Sequence, residues 1–252
     1  MRRLVEIGTG SGYPVRGRGG AAHLVLTDSA CLLMDAGEGT TGTIKALDPD
    51  IITQIDAIFI THLHPDHISG LPMLLLAMYC AGREKPLTVY MPWDGIKPFN
   101  EMLSATYLTS EFWGANPFRI LTQPLSTLSP YTFGDTSLSC FPTDHFADDV
   151  GKGIVPIRPS FGFLVEYHGK RLIYSGDTRT LAPISDNIVP GSTLLIEAVH
   201  LDYKEVVSTA RINGVKQVVF THIAGESEAE LLKYAATFPN VLVATDLMEV
   251  NW

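Results

Sequence analysis

The chain has 252 residues, 46% hydrophobic and 18% charged, a globular composition long enough for a substantial core. Its formal net charge of -9 excludes a broadly basic nucleic-acid surface and leaves room for bound cations. No Ser/Gly/Pro-rich tract or block of like charge marks a linker, so residues 1–252 are read as one domain.

The opening stretch MRRLVEIGTGSGYP has no signal-peptide core before its first glycine turn. The most apolar segment, LPMLLLAMYCAG at 71–82, is too short to span a bilayer. A cytoplasmic protein with no membrane partner is expected. Cys31, Cys80 and Cys140 are too far apart for a CxxC metal knuckle and odd in number, which does not fit a disulfide framework. Each lies in an apolar run and is expected as a buried thiol.

In chain order, AHLVLTDSACLLMDAGEG reads as two strands joined at TDSA, the second ending at Asp35 before glycines. IDAIFITHLH is a near-continuous apolar run, the pattern of a strand covered on both faces. ISGLPMLLLAMYCAG reads as a buried helix stopped by Gly82, LTVYM as a strand, and GIKPFNEMLSATYL as containing a helix. TSLSCFPTDH is a strand ending near His145, followed by a Gly/Pro-rich loop to about Pro159. FGFLVEYHGKRLIYSGDT alternates around a His-Gly turn, as a hairpin does, and its second strand ends at Asp177. The last third gives strand STLLIEA, a helix around 202–213, strand KQVVFTHIAG, helix SEAELLKYAATF and strand VLVAT. Hairpins, then βα units, then both again predict two stacked mixed sheets with helices outside. IDAIFITH and VKQVVFTH echo each other, both delivering Thr-His at a strand end, which suggests two related halves.

Asp35, His62, His145, Asp177, Glu197 and His222 stand at the carboxyl ends of these strands, where α/β sheets bind their ligands. The turn FITHLHPDHISGLP adds His64, Asp66 and His67. In extended chain His62 and His64 project to one side, while Pro65 bends the backbone and lets Asp66 and His67 begin a helix. Histidines this close cannot all be protonated without repulsion, and neutral imidazoles with carboxylates are the usual ligands of zinc, iron and manganese. A lone histidine is more often satisfied in the core; an HxHxDH turn behind a buried strand, joined by His145, Asp177 and His222, is not explained that way. These donors exceed one tetrahedral ion and suit two divalent ions, zinc before manganese or iron. With Asp177 bridging, one ion takes His62, His64 and His145 and the other takes Asp66, His67 and His222. Two ions roughly 3.5–4 Å apart make a nucleophile from water at neutral pH and clamp a substrate oxygen. The chemistry implied is hydrolysis.

HxHxDH with its downstream His, Asp and His resembles the metallo-β-lactamase fold superfamily, and the resemblance implies a four-layer αββα sandwich. Within that superfamily the pattern is similar to ribonuclease Z, the tRNA 3′ endonuclease, and related phosphodiesterases. Four stretches carry this likeness: IGTGSGYPVRGRGG, MDAGEGTT, PSFGFLVE and GDTR. The resemblance implies a phosphodiester substrate, either a small molecule or an RNA 3′ end, and a homodimer. Asp66, Glu197 and His200 are the catalytic candidates. The chain departs from ribonuclease Z at LLIEAVH, where Ile196 replaces the proton-transfer histidine of a His-Glu-Ala-Thr motif, Glu197 is kept, and His200 is in reach as a substitute. HIAGESE replaces the Ser and Arg stretch after the last ligand, and no long basic Gly-rich arm for gripping tRNA is found.

Outside the ligand set, Asp35 is expected to orient the metal loop rather than bind metal, with Glu38 in a similar part. Arg16 and Arg18 are either phosphate contacts or solvated side chains. His23 and His168 are expected to be structural, and Tyr13, Phe146 and Trp113 are pocket or core aromatics. The leading function is a dinuclear phosphodiesterase. A lactonase, thioesterase or arylsulfatase would use the same metals on another bond, and a non-catalytic metal or nucleic-acid binding protein is the third reading.

Overall fold

The computed structural model describes residues 2–109, 113, 118–147, 151–153 and 158–252. Strands β1 (Arg2–Gly8), β2 (Ala22–Thr27) and β3 (Cys31–Met34) form an antiparallel meander. The TDSA turn closes β2 onto β3 through Thr27 N–H to the Ala30 carbonyl at 2.9 Å. Helices α1 (Thr40–Leu47) and α2 (Ile51–Gln54) lead to β4 (Ala57–Phe59), then α3 (Pro65–Ile68), α4 (Leu71–Cys80), β5 (Leu87–Met91), α5 (Ile96–Ala105) and β6 (Ile120–Pro124). A second meander follows in β7 (Tyr131–Phe133), β8 (Thr136–Pro142), β9 (Phe161–Tyr167) and β10 (Lys170–Tyr174). Then come β11 (Thr193–Glu197), α6 (Tyr203–Ile212), β12 (Gln217–Thr221), α7 (Glu228–Ala235), β13 (Val241–Val243) and β14 (Glu249–Val250).

The strands make two seven-stranded sheets, ordered β14-β1-β2-β3-β4-β5-β6 and β13-β12-β11-β10-β9-β8-β7. Each sheet joins an antiparallel meander to a run of parallel strands, entered at β3–β4 in one and at β10–β11 in the other. The sheets pack face to face over Leu4, Val25, Phe59, Phe163, Leu172 and Val219, with Phe59 against Tyr90, Tyr131 and Phe163. Strand alternation sends the next residues outward: Val5, Leu24 and Ile58 meet the helices on one side, Ile173, Leu194 and Ile196 those on the other. The result is the αββα sandwich that the hairpin and βα order implies. Phe59 lies at the centre of this packing, and truncating such a buried aromatic to alanine costs about 3–5 kcal/mol.

Several expectations change. The helix read as buried, α4, buries Leu71, Leu74, Leu75 and Met78 but exposes Met73 and Leu76. Its composition is apolar all round, yet only one face meets the sheet. For the same reason Cys80 is exposed, while Cys31 and Cys140 are buried and their thiols are pushed up to about 12 and about 11 by burial. The Thr-His echo is not a repeat of equivalent positions: β4 is the first parallel strand beyond its meander and β12 the second beyond its own. The Gly/Pro-rich loop before Pro159 lies partly outside the described residues, at 148–150 and 154–157. Among the described residues, no helix is long and apolar enough to cross a membrane.

Candidate metal centre

The carboxyl ends of the parallel strands from both sheets meet along one edge of the sandwich. After β4 the chain runs extended through His64 (ψ 144°), and Pro65 opens α3 in the position where its missing N–H is harmless. His62 Nε2 then lies 3.0 Å from His64 Nδ1, which is 3.2 Å from His145 Nε2 on the loop after β8. A second trio forms beside it: His222 Nε2 is 3.0 Å and His67 Nε2 3.5 Å from Asp66 Oδ2. Asp177 stands between the two, with Oδ1 3.4 Å from His67 Nε2 and Oδ2 3.8–3.9 Å from His222, His62 and His145. His62, His64, His145 and Asp177 could hold one ion; Asp66, His67 and His222 form a further group, and Asp177 with His200 and His222 another.

The donor chemistry fits divalent metal. His67 Nε2 and Asp177 Oδ1 are buried and make no hydrogen bond, although they face each other. An imidazole nitrogen and a carboxylate oxygen left in that state are costly unless a cation lies between them. Electrostatics agree. Burial works against charge on His67, but Asp177, Asp35 and Asp66 outweigh it and raise its pKa to about 10. Burial, with neighbouring imidazoles adding to it, drives His62 far down and His145 to about 4. Asp66 and Asp177 resist burial and stay below the usual carboxylate range because His222 and His67 face them. Without metal, protonation is favoured on His67 and disfavoured on His62 and His145.

The residues around the donors fix which nitrogens point inward. Asp35, just past β3, accepts from Thr61 N–H at 2.7 Å, His67 Nδ1 at 2.9 Å and the Tyr174 hydroxyl at 2.8 Å, so His67 presents Nε2 to the centre. Thr61 gives its own proton to Asp35 and accepts from His62 Nδ1 at 3.0 Å, which turns His62 Nε2 inward as well. Asp35 (φ 58°) and His222 (φ 54°) both hold left-handed backbone, rare outside glycine and common where function demands it. The MDAGEG glycines have a packing reason: a Cβ on Gly37 would come 2.1 Å from the Asp66 carbonyl, so the metal turn rests directly on this backbone.

Glu197 is fully organised by hydrogen bonds. Its carboxylate accepts from Thr178 N–H at 3.1 Å, Val199 N–H at 2.8 Å, His200 N–H at 2.8 Å and His200 Nδ1 at 2.9 Å. His200 lies 3.9 Å from Asp177. The hydrogen bond to Glu197 outweighs burial and raises the pKa of His200. Ile196, by contrast, points away into the helical layer, where alternation places every second residue of β11.

Other candidates go elsewhere. Glu38 is exposed and lines a cavity of about 400 Å³ beside Asp66. The Arg18 side chain is 5% exposed and bonded to Thr9, the Ala244 carbonyl and Glu228, which removes it as a free phosphate contact. Trp113 packs on Tyr79 and Phe118, away from the metal edge, and Tyr13 is exposed. His23 is buried against Glu6 at 2.8 Å, and His168 is a turn residue on the surface. Phe146 does border the centre, 5.2 Å from the His64 ring and 4.5 Å from that of His145. With Leu63, Asp94, Arg158 and Pro159 it lines a cavity of about 320 Å³ that reaches His64. Thr61, Tyr174 and Asp144 were not singled out from the sequence; the threonine before each ligand histidine in ITH and FTH was the available signal for the first.

The family described as "Anti-Pycsar protein Apyc1" matches residues 2–218. A ribonuclease Z of Methanosarcina mazei is 27% identical over 306 aligned positions, covering 100% of this chain and 98% of that protein. The metallo-β-lactamase fold protein YhfI of Bacillus subtilis superposes with a TM-score of 0.77 at 17% identity, covering 100% of both chains. The short form of human tRNase Z gives 0.74 at 21% identity, covering 99% of this chain and 98% of its own.

Proposed function

With the premise that the chain belongs to the family of the anti-Pycsar protein Apyc1, we propose a hydrolase of phosphodiesters that carries two divalent ions per chain, zinc ahead of manganese or iron, and works as one domain over residues 1–252. The observation that supports it is the pair of donor groups, His62, His64, His145 and Asp177 beside Asp66, His67 and His222, with Asp177 3.4 Å from His67 and His200 3.9 Å from Asp177. His62, His64 and His145 would hold one ion and Asp66, His67 and His222 the other, with Asp177 available to both. When bound, the ions supply an activated water and positive charge for the phosphoryl oxygens.

The chain's own residues do the rest. Asp35 and Thr61 keep His67 and His62 in the tautomers whose inner nitrogens are free of protons. Asp66, at the start of α3, adds negative charge that favours cations at its side of the centre. Glu197 keeps a proton on His200 Nδ1 and, by raising the pKa of His200, favours the protonated ring. His200 Nε2–H then donates to the departing alkoxide oxygen, the role that the histidine missing at Ile196 would play. Phe146 walls the side of His62, His64 and His145, leaving exposed His64 at the entrance.

Small diesters fit this chain better than precursor tRNA. The alignment to the Methanosarcina mazei enzyme runs over 306 positions against 252 residues here, so that enzyme carries stretches this chain lacks. The net charge of -9 leaves few groups for phosphates far from the metals. The test is hydrolysis by the metal-loaded protein of bis-p-nitrophenyl phosphate, precursor tRNA, lactones and aryl sulfates. Diester cleavage with slower tRNA cleavage supports the proposal. Activity confined to lactones or sulfates replaces it, and faster, site-specific cleavage at the tRNA 3′ end restores a ribonuclease Z assignment.

A further inference from the structure

His145 and Asp177 reach the metal centre from loops after β8 and β10, and β9 lies between those strands. No sheet ladder therefore sets the distance between the two loops. Side chains do so. Thr143 donates its hydroxyl to the Asp177 carbonyl at 2.8 Å and its backbone N–H to the carbonyl of Ser160, just before β9, at 2.9 Å. Asp144, beside His145, reaches across to the three residues after Asp177. Its Oδ1 accepts from Thr178 Oγ1 at 2.7 Å, Arg179 N–H at 2.7 Å and Thr180 N–H at 3.3 Å, and its Oδ2 accepts from Thr180 Oγ1 at 2.6 Å. Arg179 returns the contact, with Nε donating to the His145 carbonyl at 2.7 Å. Thr178 is thus gripped from two sides, its hydroxyl by Asp144 and its N–H by Glu197.

We propose that Asp144 is a positioning residue that locks the His145 loop to the Asp177 loop and so sets the ion site of His62, His64, His145 and Asp177, while the Asp66, His67 and His222 group is held independently. The inference rests on the dinuclear reading. It follows from the topology: Asp66 and His67 of the second group are fastened through Asp35 and the α3 turn, and His222 directly follows β12, none of which is bonded to Asp144. The four donors to Asp144 use geometry as well as charge. An asparagine keeps Oδ1 as an acceptor for Thr178 and Arg179, and its amide can donate to a rotated Thr180 hydroxyl. Alanine keeps none of this.

The experiment is equilibrium titration of the metal-free full chain with Zn²⁺, in wild type, Asp144→Asn and Asp144→Ala, with circular dichroism to verify folding. Removing a residue that orients metal ligands typically weakens binding about 10–100-fold. Asp144→Ala should lose that much affinity at the ion of His62, His64 and His145 and clearly less at the other, which depends on the moved loops only through Asp177, and Asp144→Asn should retain most of both. If Asn and Ala lose affinity equally, Asp144 acts through its charge and positioning is wrong. If Ala binds both ions like wild type, the lock is irrelevant. If Asp144→Ala does not fold, Asp144→Asn and a Thr178→Val/Thr180→Val double variant decide the matter by the same two affinities. A wild type that takes up a single ion removes the dinuclear reading, and the lock then stands or falls on whether Ala weakens that ion and Asn spares it.

Discussion

One sheet supplies His62, His64, Asp66 and His67 from a single turn after β4, whereas the other supplies His145, Asp177 and His222 from three separate loops. In the compact half, peptide geometry holds the donors: an extended segment, a proline and the first turn of α3 leave few ways to place them. In the dispersed half, each donor arrives alone, so relative position depends on carboxylates that tie loops together, Asp144 and Glu197 among them. A local cluster can be read from spacing. A dispersed one needs the fold.

The largest effect should come where the halves join. Asp177→Ala and His64→Ala should abolish diester hydrolysis with the circular dichroism spectrum unchanged, because each removes a proposed metal donor and neither belongs to the apolar core. Wild-type rates in a variant with metal verified would take that residue out of the centre. Next comes the dispersed half's acid. His200→Ala should slow diesters with alkoxide leaving groups about 10²–10⁴-fold, the usual worth of general-acid assistance, while p-nitrophenyl esters change little because that anion leaves unaided. Equal small effects on both would reduce His200 to a helix-flanking side chain. In the compact half, Asp35→Ala frees the His67 ring and should weaken metal binding about 10–100-fold, measurable by competition with a chelating dye. Unchanged affinity would mean that the turn alone holds His67.

The smallest effect contrasts His67 of one half with His145 of the other by proton affinity. In the metal-free protein His67 is raised to about 10, above its unfolded value of about 6.5, so its stabilisation is full below 6.5 and disappears as pH rises through 10. His145 is lowered to about 4, so the unfolded chain takes the proton first and stability falls as pH drops from about 6.5 toward 4. Urea titrations of metal-free protein should therefore peak near neutral pH, and zinc should flatten the alkaline side by replacing the proton on His67. An alkaline limb that zinc leaves unchanged would contradict this.

Much of this was legible from residues. The strands at LTVYM, TSLSCFP, FGFLVEY, TLLIE and QVVFT, the proline-initiated turn and the set of ligand-type side chains follow from alternation and spacing. β1 did not, because Arg2, Arg3 and Glu6 break its apolar run; Glu6 is in fact buried, paired with His23 and accepting from Thr221 at 3.2 Å. β6 and β7 are partly exposed edge strands, and β14 is two residues long, so neither hydropathy nor length announced them. Helices α1 and α2 carry threonine, glycine and isoleucine, weak helix formers that tertiary packing overrides. Asp144 looked like an ordinary loop residue because its partners come from Thr178 to Thr180, far along the chain.

The proposed function stands on two ions that share Asp177. Metal-free protein titrated with Zn²⁺ while hydrolysis of bis-p-nitrophenyl phosphate is followed tests it directly. Activity should climb to its plateau at two equivalents per chain; a plateau at one equivalent, with no second ion bound under saturating zinc, would contradict the dinuclear proposal.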